Sequence, residues 1–326
     1  MSSNLNRRSF MKHTLAASAG GTMALSAARG AERGRPAIKV EPNSKATLPM
    51  GRIGDLEVSR ILLGGNLLTH YTHSRDLKSV YNLCAHYNTE DKIHETMALA
   101  EAHGVNTLSI HNPPGIVEML KRYRHRYGGK MKWIICPIAE ITDDMKVYAD
   151  MTRELVDNGT DAIYLWGVRA DPLCAQGRMD LVRKAVEIAK DLGVPSGVGG
   201  HDLNVIVQCE KHNIPADFYI KTFHHHNYPS APKPHELKNA YNEVPGYWCK
   251  SPAETIEVMK NVTKPWIAFK VMAAGAIPPR DAFKYVFENG ADHCLAGMFD
   301  FEIAEDAMIA NETLAAVKNR TRPWRS

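Results

Sequence analysis

Leu48-Pro49-Met50-Gly51-Arg52-Ile53-Gly54-Asp55-Leu56-Glu57-Val58-Ser59-Arg60-Ile61-Leu62-Leu63-Gly64-Gly65 is the stretch on which the fold turns. Its first part, Thr47 to Val58, reads as a small β-hairpin with Gly54-Asp55 at the turn, where glycine supplies the left-handed backbone a tight hairpin needs. From Arg60 to Gly65 the chain is a short apolar run closed by glycines, the pattern of a strand buried on both faces. Similar runs recur at Asn106 to Ile110, Trp133 to Ile138, Ala162 to Trp166, Pro195 to Gly199, Phe218 to Phe223, Trp266 to Met272 and Cys294 to Met298. Helical segments lie between them, most clearly Lys92 to His103, Val117 to Tyr127, Met145 to Asn158, Met179 to Leu192, Ala253 to Val262 and Arg280 to Asn289. Gly104, Gly128, Gly159, Gly193 and Gly290 stand where such helices stop. Eight strands alternating with about eight helices predict an α/β fold, a (β/α)8 TIM barrel with an N-terminal β-hairpin. An open doubly wound sheet suits the same alternation. It would carry a Gly-x-Gly-x-x-Gly turn after its first strand, which Gly64-Gly65-Asn66 only partly echoes, so the barrel is preferred.

The same stretch resembles the opening of aldo/keto reductases, in which a small hairpin plugs the barrel floor and strand one ends in Gly-x-Gly. The resemblance continues through the domain. Gly104-Val105-Asn106-Thr107-Leu108-Ser109 is similar to the family's Gly-Ile-Asn-x-Phe-Asp, and Gly193 to Leu203 to its Gly-x-Ile-Arg-x-Ile-Gly-Val-Ser-Asn-Phe. Ala268-Phe269-Lys270-Val271-Met272-Ala273-Ala274-Gly275 looks like its strand-seven segment, and Gly297 with the helix containing Asp306 fits its ending. The family's catalytic Asp, Tyr, Lys and His do not carry over. Their positions hold Ser109, Pro114, a residue near Pro137, and Trp166 or Gly167. His201 and Asp202 replace the Ser-Asn pair that holds the nicotinamide amide. The resemblance therefore implies the scaffold, and leaves carbonyl reduction with a bound NADP as an alternative only.

Barrel active sites lie at the C-terminal ends of the strands. Here those ends carry Asn66 with His70, Tyr71 and His73 in the following loop, then His111-Asn112, Glu140, His201-Asp202, His224-His225-His226, Lys270 and Asp300. Neutral imidazole is a common ligand of divalent metals, and three protein ligands with an open position make a catalytic site. His111, His201 and His224 are the expected ligands of a divalent ion (Zn, Mn, Fe or Cu), with His226 or Glu140 as a fourth ligand or base. A lone strand-end histidine is more often a hydrogen-bonded rim residue; three strands ending in His favour the metal. Glu140 or Asp202 would move a proton, and Lys270 offers a Schiff-base alternative. His94, His103, His125 and His212 fall on helices and read as surface residues. Tyr228 to Ser251 and Leu67 to Asp91 read as long irregular connections, either lids or coverings of the barrel.

Asn6-Arg7-Arg8-Ser9-Phe10-Met11-Lys12, followed by a weakly apolar Thr14 to Ala28, reads as a twin-arginine export signal with a small-residue cleavage site. The expected organisation is residues 1–28 as signal peptide, 29–46 as a disordered linker and 47–326 as barrel. The expected partners are the Tat export machinery and a small-molecule substrate, and the expected location is periplasmic or secreted. The formal charge is +4, and Arg7, Arg8 and Lys12 supply three of those charges, so the remaining chain is near neutral with no nucleic-acid footprint. No apolar run reaches the length of a membrane span. Six cysteines without a CxxC pair read mostly as buried small apolar residues, with a bridge from Cys84 or Cys249 left open. Three functions stay open: a metal-dependent lyase, isomerase or hydrolase acting on a small polar, possibly sugar-derived, carbonyl or hydroxyl compound; an oxidoreductase holding NADP; and a barrel that binds a ligand without turnover.

Overall fold

Eight parallel strands close on themselves in the order β10-β3-β4-β5-β6-β7-β8-β9. The computed structural model describes residues 38–74, 76–238 and 249–326. The strands are β3 (Ile61–Gly64), β4 (Thr107–His111), β5 (Lys132–Cys136), β6 (Ala162–Leu165), β7 (Ser196–Gly200), β8 (Phe218–Thr222), β9 (Trp266–Phe269) and β10 (His293–Ala296). Ahead of them β1 (Met50–Ile53) and β2 (Leu56–Ser59) form the antiparallel hairpin, with Ile53 opposite Leu56 and Gly54 at φ 57° in the turn. The chain is thus a TIM barrel with an N-terminal hairpin, as the alternation predicts.

Around the barrel run α1 (Lys78–Tyr87), α2 (Glu90–Ala102), α3 (Ile116–Tyr127), α4 (Lys146–Asp157), α5 (Gly167–Ala175), α6 (Met179–Asp191), α7 (Leu203–Lys211), α8 (Pro252–Lys260), α9 (Pro279–Glu288) and α10 (Ile303–Ala316). The glycines read as helix stops, Gly104, Gly128, Gly159, Gly193 and Gly290, all have positive φ. Such a backbone ends a helix at little steric cost in a residue without Cβ.

The barrel interior is filled at one end by the hairpin. Ile53 and Val58 pack into one cluster with Leu62, Ile134, Phe218, Ile220 and Ile267, all essentially unexposed. At the other end of β3 a side chain would not fit: a Cβ on Gly64 would lie 2.8 Å from the Gly297 backbone nitrogen on the β10 side.

Three expectations need correction. The connection after strand one is not irregular throughout, because α1 occupies residues 78–87. Part of the linker is ordered: the Asn43, Lys45 and Ala46 backbone nitrogens donate to the Glu101 and Ala102 carbonyls. His94 is buried rather than on the surface, its Nε2 bonded to the Met119 carbonyl at 3.1 Å. The export signal lies outside the described residues, as do positions 239–248 of the connection after β8. All six cysteines are free and buried, so no bridge forms from Cys84 or Cys249. No helix among the described residues is long and apolar enough to cross a membrane.

A buried ion pair locks the C-terminal tail to the barrel. The Arg322 guanidinium, fully buried, donates to Asp292 Oδ2 at 2.7 Å and to the Val262, Gly290 and Lys264 carbonyls. Asp292 also accepts from the Trp266 and Arg325 backbone nitrogens. Removing one partner of such a pair strands the other's charge. Asp292→Ala should therefore cost about 3–5 kcal/mol, read as a lower midpoint in denaturant unfolding. A loss under about 1 kcal/mol would mean the tail can detach without penalty.

Candidate active site

A cavity of about 620 Å³ opens at the C-terminal ends of the strands. Its floor is built from Ser109, Cys136 and Tyr164, which point inward from β4, β5 and β6. Its walls carry Asn66, Tyr71, His73, His111, Trp166, His201 and Lys270.

His201 is the best-anchored of these. It follows β7 directly and is buried. Its Nδ1 lies 2.6 Å from Asp171 Oδ2. Asp171 stands on α5, which begins as soon as β6 ends, and it also accepts the backbone N–H groups of His201 and Asp202. An ionised carboxylate only accepts, so the Nδ1 proton belongs to the imidazole and Nε2 becomes the basic nitrogen. Burial pushes the His201 pKa down to about 4, the Lys270 charge lowers it further, and the Asp171 hydrogen bond pulls the other way. The ring is therefore neutral at pH 7. Gly167 leaves room for it: a Cβ there would sit 3.1 Å from two ring atoms.

His111 stacks on Trp166, with centroids 5.8 Å apart and planes within 5°. Burial lowers its pKa. His73, with its backbone at φ 53°, accepts from the Asn66 amide at 2.7 Å through Nε2 and meets Tyr71 edge-on at 4.7 Å. Burial, then the charges of Lys270, His201 and His111, push its pKa down to about 2. Lys270 follows β9 in a left-handed backbone, φ 58°.

The remaining expected site residues fall elsewhere. His224 Nε2 accepts from the Cys249 backbone nitrogen at 3.1 Å, and His226 Nε2 donates to the Cys249 carbonyl at 2.6 Å. The two rings clamp one residue of the connection after β8 and do not line the cavity. Burial, then His226, pushes His224 down to about 3. Glu140 is largely exposed, 3.9 Å from Arg169. Asp202 caps α7, accepting from the Asn204 backbone nitrogen at 2.9 Å.

The shared metal centre expected of His111, His201, His224 and His226 is therefore corrected. Among the described residues no three His, Cys, Asp or Glu side chains are placed to hold one ion. The physical reason is the register: His224 and His226 turn toward the returning chain at Cys249, while His111 and His201 face the cavity. Glu140 and Asp202, expected to move a proton, do not line this cavity. Sequence reasoning missed Asp171, because it sits within a helix rather than at a strand end. Its one sequence signal is an acidic residue shortly after β6, in a segment where no helix was expected.

No protein-family model matches the chain, and no curated protein matches it. Among solved structures it is similar to a protein described as an aldo-keto reductase from Pseudomonas aeruginosa, at 17% identity and a TM-score of 0.53, over 86% of this chain and 100% of that one. It is similar to the aldo-keto reductase AKR11C1 from Bacillus halodurans, at 10% identity and a TM-score of 0.53, over 86% and 100%. It is also similar to a Gox0644 variant in complex with NADPH, at 12% identity and a TM-score of 0.50, over 83% and 93%. At these identities the likeness is one of architecture, and the architecture of this chain is that of the aldo-keto reductases.

Proposed function

We propose that the cavity is an acid–base active site in which His201, held by Asp171, takes and returns a proton on a small polar substrate carrying a carbonyl or hydroxyl group. The observation that carries this reading is the 2.6 Å contact between Nδ1 of the cavity-lining His201 and Asp171 Oδ2. A neutral imidazole with a fixed tautomer, backed by a carboxylate, is the arrangement general-base chemistry requires. The stacked His111 and Trp166 rings offer a flat wall for the substrate's carbon skeleton. Isomerisation, elimination and hydrolysis all fit this machinery. The test is solvent-hydrogen exchange. The protein in D2O, offered a panel of small hydroxy-carbonyl compounds, is expected to wash deuterium into at least one of them, as read by NMR. His201→Ala is expected to abolish the exchange. A panel with no His201-dependent exchange or turnover would reject the reading.

A second reading, a nicotinamide-dependent oxidoreductase, is supported by the architecture shared with the NADPH-bound Gox0644 variant. The lining does not suit a dinucleotide's phosphates. Lys270 is its one Lys or Arg among the described residues, and it also carries the carboxylates Glu302 and Asp306. This reading expects quenching of protein fluorescence on titration with NADPH; an unchanged signal at millimolar nucleotide would remove it.

We also propose that residues 1–28 direct export by the Tat route to a periplasmic or secreted location, with 47–326 as the working domain. Support comes from the Arg7-Arg8 motif. Arg7→Lys with Arg8→Lys should leave the protein in the cytoplasmic fraction, while unchanged export would refute the signal.

A further inference from the structure

Helix α1 presents its apolar face outward. A surface helix ordinarily buries that face against the core, yet of the ten residues of α1 only Cys84 is buried. Leu77 at its start, Val80, Leu83 and Tyr87 are spaced three and four apart and share one side of the helix. All four are exposed, Leu77 and Leu83 by more than half. The apolar surface continues past the helix. The Tyr87 ring meets Phe299 and Phe301 edge-on, at 5.8 and 6.2 Å. Phe301, also more than half exposed, stacks on Phe299 with planes within 9°. Polar contacts fix the strip in place: the Tyr87 hydroxyl donates to Asp300 Oδ1 at 2.7 Å, and Lys92 Nζ donates to Asp300 Oδ2 at 3.0 Å. Two members of the strip, Val80 and Phe299, also line the cavity that holds His201. The strip thus carries the cavity wall out onto the surface.

We propose that the cavity takes an amphiphilic ligand, with a polar head beside His201 and an alkyl or aryl tail that passes over Phe299 and lies on Val80, Leu83, Tyr87 and Phe301. The inference rests on the acid–base reading for the head alone; the small polar group acted on at His201 is then one end of a longer molecule. Contiguous exposed apolar surface marks an interaction site, and here its occupant follows from where the strip begins. A strip that starts inside a cavity suits a molecule that starts there too. The lining agrees, since Leu67, Ile110, Ile277 and Leu295 join Phe299 in a cavity of about 620 Å³, room for a ligand held mostly by apolar contact. A sugar ring suits the strip less well. Its aliphatic and phenyl members offer no hydrogen bonds, and Tyr87 has given its hydroxyl to Asp300. A second copy of the chain also suits it less well. A stable dimer covers about 20–30 residues a side, far more than this strip supplies, and Lys92, Glu95 and Asp300 already satisfy one another as ion pairs.

The test lengthens the tail one carbon at a time. Isothermal titration of the full-length protein uses the 1-hydroxyalkan-2-ones from hydroxyacetone to 1-hydroxy-2-decanone. A methylene taken wholly out of water gains about fourfold in affinity, and one left half wet about twofold. Binding should therefore tighten roughly two- to fourfold per carbon once the chain reaches the rim. Phe301→Ser combined with Leu83→Ser should flatten that rise. Val147→Ser, which removes an exposed apolar side chain on α4, should leave the rise as it is. Circular dichroism checks that each variant is folded, and Phe301→Ser alone serves if the double variant is not. Light scattering should give the same mass before and after Phe301→Ser. A mass that falls by half would identify a face for a second copy and overturn the proposal. A flat series, no binding by any member, or a rise indifferent to the strip variants overturns it as well. The two readings fail separately. Strip-dependent tightening without His201-dependent exchange would sink the acid–base site and keep the strip. Exchange on hydroxyacetone with no gain from longer chains would do the reverse.

Discussion

His201→Ala is expected to lower kcat by about 10²–10⁴-fold, the usual contribution of a positioned general acid or base. On the acid–base reading the mutated ring carries the proton, so binding should suffer much less than turnover. Asp171→Asn gives a sharper version of the same result. An Asn amide can present either its oxygen or its NH2 group to the ring, and it no longer enforces protonation at Nδ1. The imidazole would remain in place with its basic nitrogen unspecified. The expected outcome is again a fall of about two orders of magnitude or more in kcat, with ¹⁵N resonances of His201 shifted from the Nε2-basic tautomer. Retained activity in Asp171→Asn, with the tautomer unchanged, would show that the carboxylate only holds the backbone nitrogens of His201 and Asp202.

Acid should unfold this protein over a narrow range. His201 and His293 are held near 4, His224 near 3 and His73 near 2, each chiefly by burial. All four are lowered from 6.5. As pH falls below 6.5 the unfolded chain takes up protons that the native state refuses, so their contribution is full above 6.5 and drains away toward pH 4. At about 1.4 kcal/mol per unit, His201 and His293 each lose roughly 3 kcal/mol across that window. Asp306 works in the opposite sense. Burial, then Glu302 and Glu305, raises it to about 7, so its contribution is present below 3.8 and lost as pH rises through 7. The four imidazoles outweigh the two carboxyls raised by burial, Asp306 and Glu101, and domains of this kind hold only about 5–15 kcal/mol in all. Thermal melts at pH 8, 6, 5 and 4 should show Tm dropping steeply below pH 6. A flat profile from 7 to 4 would mean these rings are open to water in solution.

The barrel was legible in the sequence because buried parallel strands and glycine helix stops are local signals. The hairpin turn at Gly54 and the positive φ of Gly104, Gly128, Gly159, Gly193 and Gly290 needed no tertiary knowledge. Helix α5 was not, since its run from Gly167 to Ala175 begins directly at a strand end and contains Pro172. That cost the site its key carboxylate, Asp171. His201 and Lys270 were found by their places at strand ends. Their histidine neighbours divided in a way that spacing does not encode: His111 faces the cavity, whereas His224 and His226 spend their ring nitrogens on the peptide groups of Cys249. His73 lay in a loop whose course depends on α1, so proximity to His201 could not be read from its position in the chain.

The hairpin at the barrel's foot has a kinetic corollary. Ile53 and Val58 fill one end of the cylinder, and the cavity lies at the other. On the acid–base reading, a product formed there would leave by the same end of the barrel that admitted its precursor. Departure of one molecule and arrival of the next are therefore mutually exclusive events, and a sluggish exit would cap the turnover rate however fast the chemistry ran.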